Sequence, residues 1–471
     1  MENNILPNIK KARSRVGASK LIHHIFKLNN ELKTIGKNKL FFVRTYGCQS
    51  NLRDSEIIKG MLLEMGYKEA KEIGDAHLII LNTCAIRENA EKKVFGEMGF
   101  LKSKFKKDFI FGICGCMAQE ESVVKKIIEK MQYVSFVLGT HNLFELPYII
   151  EEFVKTKKQV IKVYSKEGDI VEDLPSIRDS KIKAWVNITY GCDKFCSYCI
   201  VPYTRGKLRS RDKQDILNEI NWLIKDGYKE VTLLGQNVNS YGLDKNDGYK
   251  FINLLEDVCE TGIKRVRFAT SNPWNFDKNI ALLFNKYENL MPYFHLPIQS
   301  GSENILKKMN RNMKIKDYLA LIDFLRKHVP NCAISTDIIV GFPNETSAEF
   351  KQTLSLYNKV KYDNAYTFIY SKREGTPAAM MDDKISFSNK EKRLSELNDL
   401  VRKYSKFNNE KFLNQTLDVL VEGKSKTDKS VWTGYCPQWK VVNFTGKCKV
   451  GEIVKVKITS ISRFSLTGKT I

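Results

Sequence analysis

The stretch Ala184–Cys199, AWVNITYGCDKFCSYC, decides how the chain is read. Its first half is strand-like. Cys192, Cys196 and Cys199 follow at once in a CxxxCxxC run, a loop short enough to aim three thiolates at one centre. Three ligands is an informative number. A structural zinc site takes four protein ligands, usually as two CxxC-like pairs, and no fourth Cys or His follows nearby. A 4Fe-4S cluster held by three cysteines keeps one iron open to an exogenous ligand, which suits a site built for reaction.

Five more strand candidates lie downstream, EVTLLGQNV, RVRFATSNP, YFHLPIQSGS, AISTDIIVGFP and NAYTFIYS, each separated from the next by helix-compatible sequence. Six βα units predict an open, partial barrel. Upstream, from Leu40, strand-like LFFVRTYGC, HLIILNTC, FIFGICGC and FVLGT alternate with helical SEIIKGMLLEMG, RENAEKKVFGEMGFLKS and ESVVKKIIEKM. That alternation predicts a parallel sheet. After a charged helix near 388–412, the tail from Gln415 is strand-like throughout and predicts a small basic β-barrel. The expected layout is therefore α/β multidomain: a flexible basic arm over 1–38, a parallel-sheet α/β domain over 39–150, a charged linker over 151–181, the partial (βα)6 barrel over 182–406 and an all-β barrel over 407–471.

A length of 471 residues suits this count at roughly 150 residues per domain. Lys and Arg number 77 against 54 Asp and Glu, a formal charge of +23, which favours a polyanionic partner and nucleic acid before membrane. A composition 42% hydrophobic and 11% aromatic excludes wholesale disorder and a fibrous chain. No run reaches the roughly 18 apolar residues of a membrane span, and the N-terminus lacks the apolar core of a secretory signal, so the expected location is the cytoplasm with no membrane partner. In that compartment eleven cysteines point to metal or redox chemistry before disulfides.

A second cysteine group supports this. Cys48, Cys84 and Cys116 each end a strand candidate, in YGCQ, NTCA and CGCMA. In an open parallel sheet those ends share one edge, where helix N-termini and loop N–H groups favour thiolate and cluster charge. The plainer alternative is three ordinary buried cysteines. Cys114 alternates with Cys116 and is expected in the core.

The residues quoted so far, together with GCDKFCSYCIVPYTRGKLRSR, LNTCAIRENAEKKVFGE, ICGCMAQEESV, HLPIQSGS, TDIIVGFPNET and FIYSKREGTPAA, resemble the blocks of the radical S-adenosylmethionine methylthiotransferases over about residues 40–471. The likeness is to the branch that acts on tRNA. It implies a radical barrel, a terminal TRAM barrel and two 4Fe-4S clusters: Cys192, Cys196 and Cys199 hold the one that binds and cleaves S-adenosylmethionine, and Cys48, Cys84 and Cys116 hold an auxiliary one that carries sulfur. Tyr198 would then lie against adenine and Gly235, Gln236 and Asn237 near the methionyl amine, although GQN is also an ordinary turn. Ser271, Gln299, Ser300 and Asp337, at later strand ends, are candidates for the same pocket. The implied reaction inserts a methylthio group at C2 of N(6)-isopentenyladenosine beside the anticodon, with one S-adenosylmethionine giving the methyl and another a 5'-deoxyadenosyl radical. It implies an electron donor and a sulfur source as further partners. Two positions depart from the pattern: Asn272 stands where His is usual, and Met313 where an aromatic is common.

Arg205, Lys207, Arg209 and Arg211 follow the second cysteine group, and Trp439 and Lys440 lie in the basic tail. Cations that track phosphates and aromatics that stack on bases make these six the candidate RNA contacts, beside the plain reading of a solvated surface. Two other functions compete: the same chemistry on threonylcarbamoyl-adenosine or on a ribosomal-protein aspartate, and a non-catalytic RNA-binding protein whose cysteines hold zinc.

Overall fold

The computed structural model describes residues 21–22, 26–85, 88–104, 109–165 and 170–471. The chain forms two compact units: Met1–Asp179 with Asn187–Phe195 and Cys199–Asp215, and Ser180–Val186 with Cys196–Tyr198 and Ile216–Ile471.

In the first unit β1 (Leu40–Thr45), β2 (Leu78–Thr83), β3 (Ile110–Gly115), β4 (Phe136–Leu138) and β5 (Val160–Lys162) run parallel in that order, with the short strand Lys68–Glu69 beside β1. Every residue of β2, LIILNT, is buried. A parallel sheet covered on both faces requires such a continuous apolar run. Leu78 and Ile80 pack with Ile58, Met61 and Leu62 of α1 (Gln49–Glu64), while Ile79 and Leu81 pack with Val94 and Met98 of α2 (Glu88–Lys104) and Val124 of α3 (Glu121–Lys130). Cys114 takes its expected place in the first of these cores.

Two expectations need correction. The basic arm over 1–38 is part of this unit from Phe26 onward; residues 1–20 and 23–25 lie outside the described residues. Leu28 and Leu32 are buried in the α1 core, and Asn29 caps the helix Asn30–Thr34 by accepting the Leu32 N–H at 2.8 Å. The linker over 151–181 is also structured. Its start belongs to α4 (Leu146–Thr156), which buries Ile149 and Ile150, and β5 completes the sheet. Further on, the Ile177 N–H donates to Glu56 O at 2.9 Å and Arg178 donates to the Glu56 carboxylate at 2.9 Å. Gly60 allows that strap to lie on α1, because a Cβ there would stand 2.3 Å from Pro175 O. A charged composition looked solvated because its charges meet partners far away in sequence.

All six expected strands form, in two three-stranded arrays. One has the order β8 (Arg265–Phe268), β7 (Glu230–Leu234), β6 (Lys183–Asn187); the other β9 (Tyr293–His295), β10 (Ala333–Val340), β11 (Asn364–Ile369). A 24-residue helix, α5 (Phe387–Glu410), leads into a closed barrel ordered β12 (Thr416–Lys424), β13 (Trp432–Tyr435), β14 (Val441–Thr445), β16 (Ser465–Thr470), β15 (Ile453–Ile461). Val419, Val442, Phe444, Val456 and Leu466 fill it.

Two buried arginines on β8 dock the barrel. Arg265 donates to Tyr435 O and Asp418 O, each at 2.8 Å, and Arg267 to Pro437 O at 2.7 Å and Cys436 O at 3.0 Å. Glu230 accepts the Arg267 Nε–H at 2.9 Å. Burial and the neighbouring Arg267 lower Arg265 to about 10. Buried guanidinium groups are tolerable only with such full hydrogen bonding.

Candidate iron-sulfur and S-adenosylmethionine site

Parallel topology brings three distant cysteines to one edge of the first sheet. Cys48 is the N-cap of α1, Cys84 directly follows β2, and Cys116 opens the short turn of helix after β3. Asn51, fully buried one turn into α1, organises them. Its amide donates to Thr83 O at 2.8 Å, Tyr46 O at 3.2 Å and Asn82 Oδ1 at 3.3 Å. Its Oδ1 faces Cys48 Sγ at 3.6 Å and Cys116 Sγ at 4.0 Å. Asn82 returns the contact by donating to Asn51 O at 2.8 Å. Two glycines make room: a Cβ on Gly47 (φ +132°) would meet Cys84 Cβ at 2.9 Å, and one on Gly115 (φ +91°) would meet Asn82 Oδ1 at 2.4 Å.

Arg205 enters the same cradle. Its Nε donates to Cys116 Sγ at 3.1 Å, and its Nη2 to Asn51 Oδ1 at 3.1 Å and Asp54 Oδ2 at 2.6 Å. Ile200 and Tyr203 pack with Ala85 and Cys116 just before it. Burial pushes the Cys116 thiol up to about 11, Arg205 draws it down, and Cys84 and Cys48 add to the rise. Among the described residues no three Cys, His, Asp or Glu donors form a ready site for one ion. A 4Fe-4S cube takes one thiolate per iron, so its thiolates stand farther apart than the ligands of a single ion. Three soft thiols beside a guanidinium therefore suit a cluster better than a hard cation.

The CxxxCxxC loop is held differently. Thr189–Tyr190 pairs antiparallel with Arg209–Ser210, the Cys192 N–H donates to Gly206 O at 3.0 Å, and Asp193 Oδ1 accepts the Leu208 N–H at 3.0 Å. Gly191 (φ +71°) is required there, since a Cβ would lie 2.0 Å from Lys207 O. In the second unit, Ser197 is pinned by its N–H to Met309 O at 2.9 Å and its hydroxyl to Lys308 O at 2.8 Å. Arg311 points at Cys196 Sγ (3.6 Å) and Tyr198 Oη (3.3 Å) with its guanidinium 4.6 Å from the Trp274 ring centre.

The other pocket candidates sit at strand ends. Gly235, Gln236 and Asn237 follow β7, and Asn237 Oδ1 accepts the Asn272 N–H at 3.2 Å. Asn272 also accepts the Trp274 N–H at 3.2 Å, so the position where His is usual holds a turn. Met313 is buried. Gln299 (φ +75°) bridges to β10, its N–H donating to Asp337 O at 2.9 Å, and Asp337 lies 3.4 Å from His295 Nε2. Ser300 is fully buried against Thr353. The Ser271 hydroxyl and Gln299 Oε1 are buried without a hydrogen-bond partner, polar atoms of the kind a bound nucleoside satisfies.

Four of the six expected RNA contacts have partners within the protein. Arg205 is spent on Cys116, Asn51 and Asp54. Arg211 is buried with Glu172 at 2.6 Å. Trp439 packs its ring on Tyr293 and Arg267, with centroid distances of 4.8 and 5.0 Å, and Lys440 pairs with buried Asp363 at 3.0 Å. Lys207 and Arg209 are half-buried, and Arg209 donates to Arg205 O at 3.0 Å. Asn51, Asn82 and Arg311 escaped the sequence reading, although Asn82 stands in the quoted run LNTCAIRENAEKKVFGE.

The chain is similar to known proteins in each of its three parts. Residues 186–357 match the Radical SAM superfamily model, residues 410–471 the TRAM domain, and residues 40–139 the Uncharacterized protein family UPF0004. The fold is similar to that of the radical S-adenosylmethionine methyltransferase TsrM from Kitasatospora setae with cobalamin and a [4Fe-4S] cluster bound, with a TM-score of 0.52 at 12% identity over 73% of this chain and 74% of that one. These matches define a radical S-adenosylmethionine protein with a C-terminal TRAM barrel. The tRNA-2-methylthio-N(6)-dimethylallyladenosine synthase of Malacoplasma penetrans is 55% identical over 99% of this chain and 96% of its own length. The Bacillus subtilis protein of that name is 48% identical over 99% and 92%. The chain belongs to the tRNA-2-methylthio-N(6)-dimethylallyladenosine synthase family. That family carries a 4Fe-4S cluster and uses S-adenosylmethionine. No helix among the described residues is long and apolar enough to cross a membrane.

Proposed function

We propose that this chain inserts a methylthio group at C2 of N(6)-isopentenyladenosine in tRNA, using S-adenosylmethionine and two 4Fe-4S clusters. The carrying observation is full-length identity of 48–55% to proteins named for that product. The cysteine arrangement supports two clusters: Cys192, Cys196 and Cys199 would hold one, and Cys48, Cys84 and Cys116 the other. When bound, these groups and S-adenosylmethionine supply the one-electron chemistry, the sulfur and the methyl group that side chains lack.

The chain's own residues bind and orient. Three thiols per cluster leave one iron of each for a small ligand. Ser197, pinned at both its N–H and its hydroxyl, fixes the backbone between Cys196 and Tyr198. Arg311 offers a buried cation beside Cys196 and Tyr198. Ser271 and Gln299 offer polar atoms to the nucleoside. The charge of +23 supports a tRNA partner, drawn by phosphate contact. An electron donor and a sulfur source complete the set, and the expected compartment is the cytoplasm.

Mass spectrometry of nucleosides from tRNA of cells lacking this chain tests the proposal. Loss of the methylthiolated base with isopentenyladenosine in its place is expected. An unchanged profile would overturn it.

A further inference from the structure

The guanidinium of Arg205 is held inside the first unit by three other side chains. It is buried, its Nε lies 3.1 Å from Cys116 Sγ, and its Nη2 contacts both Asn51 and Asp54. Its backbone is fixed as firmly. The Arg205 N–H donates to Val201 O at 2.8 Å, Arg205 O accepts from Arg209 at 3.0 Å, and the adjacent Thr204 O accepts the Thr140 hydroxyl. A buried charge so placed is costly to assemble even with a carboxylate 2.6 Å away.

We propose that Arg205 is a positioning residue for the auxiliary 4Fe-4S cluster: charge-balanced by Asp54, it holds the Cys116 sulfur in its ligating pose and raises the cluster's reduction potential. This rests on the reading that Cys48, Cys84 and Cys116 ligate such a cluster. The physical reason is that reduction adds one negative charge to a cluster already negative, and a donor to a ligating sulfur stabilises the reduced form more than the oxidised one. Low dielectric magnifies the effect, and Asp54 moderates it by opposing the guanidinium. Asn51 sets the angle, because its Oδ1 takes the second arm of the fork while its amide is held by the backbone of β2. Lysine, a point charge without the fork, reproduces the charge but not the two-armed geometry.

The test uses the full chain, reconstituted with iron and sulfide without oxygen and titrated electrochemically, with both clusters followed by electron paramagnetic resonance. The wild type is expected to hold about eight irons, two clusters of four. Arg205→Gln should move the auxiliary potential to a more negative value and leave the radical cluster's potential unchanged, Arg205→Lys should lie between, and Asp54→Asn should move it to a more positive value. Opposite signs from two neighbouring substitutions are not expected of a packing defect. Shifts of one sign, or no shift, overturn the role. If Arg205→Gln loses the auxiliary irons, Arg205→Lys decides: a shift to a more negative potential supports the role, and no shift or a positive one overturns it. A wild type holding only about four irons would instead defeat the two-cluster reading beneath it.

Discussion

The two cysteine groups are assembled by opposite means. Cys192, Cys196 and Cys199 lie within eight residues, and a local loop presents them, closed by the Thr189–Tyr190 ribbon and one left-handed glycine. Cys48, Cys84 and Cys116 come from three separate βα turns, and only the parallel order of β1, β2 and β3 brings them to one edge. The first arrangement needs a correct turn; the second needs a correctly folded sheet plus a buried organiser, Asn51. The local group is therefore set by spacing and one turn, while the distributed one depends on the order of three strands.

The sharpest way to break this contrast is to remove ligands. Alanine at Cys192, Cys196 or Cys199 is expected to abolish cleavage of S-adenosylmethionine, whereas alanine at Cys48, Cys84 or Cys116 is expected to spare cleavage and stop methylthiolation; anaerobic chromatography of both products checks it, and equal losses would erase the distinction. Next come the glycines. Gly115→Ala puts a methyl 2.4 Å from Asn82 Oδ1 in a left-handed position, so the first unit should lose about 2 kcal/mol or more, along with its auxiliary iron. Gly191→Ala, by contrast, should deplete only the radical cluster's iron. Denaturant melts with iron analysis separate the two. Asn51→Ala strands several buried partners and should cost about 2 kcal/mol, with iron lost from the auxiliary triad alone. The smallest effect is expected from Cys114→Ala, two residues from Cys116 but facing the core: about 1 kcal/mol of stability, with iron content and activity unchanged.

The local triad could be read letter by letter, because spacing alone carries it. The distributed triad was legible as three strand ends, since LIILNT and its neighbours announce a buried parallel sheet. What escaped was every partner chosen across long separations. Arg205 and Arg211 look like surface cations in TRGKLRSR, and only the fold shows that Asp54 and Glu172 await them. Trp439 reads as a stacking platform and is a docking residue. The stretch 151–181 reads as a linker because α4 has one buried face and the strap's charges are met by Glu56. Polarity reports what a side chain requires and leaves open where it finds it.

The joint between β8 and the terminal barrel has an evolutionary consequence. Arg265 and Arg267 grip four main-chain carbonyls of the barrel, those of Asp418, Tyr435, Cys436 and Pro437. Every residue type presents a carbonyl, so at those positions substitution leaves the gripped atoms in place as long as the backbone keeps its course. The barrel's outward side chains are thus free to drift toward new contacts while its attachment is inherited intact: a module can be retuned without redesigning its socket.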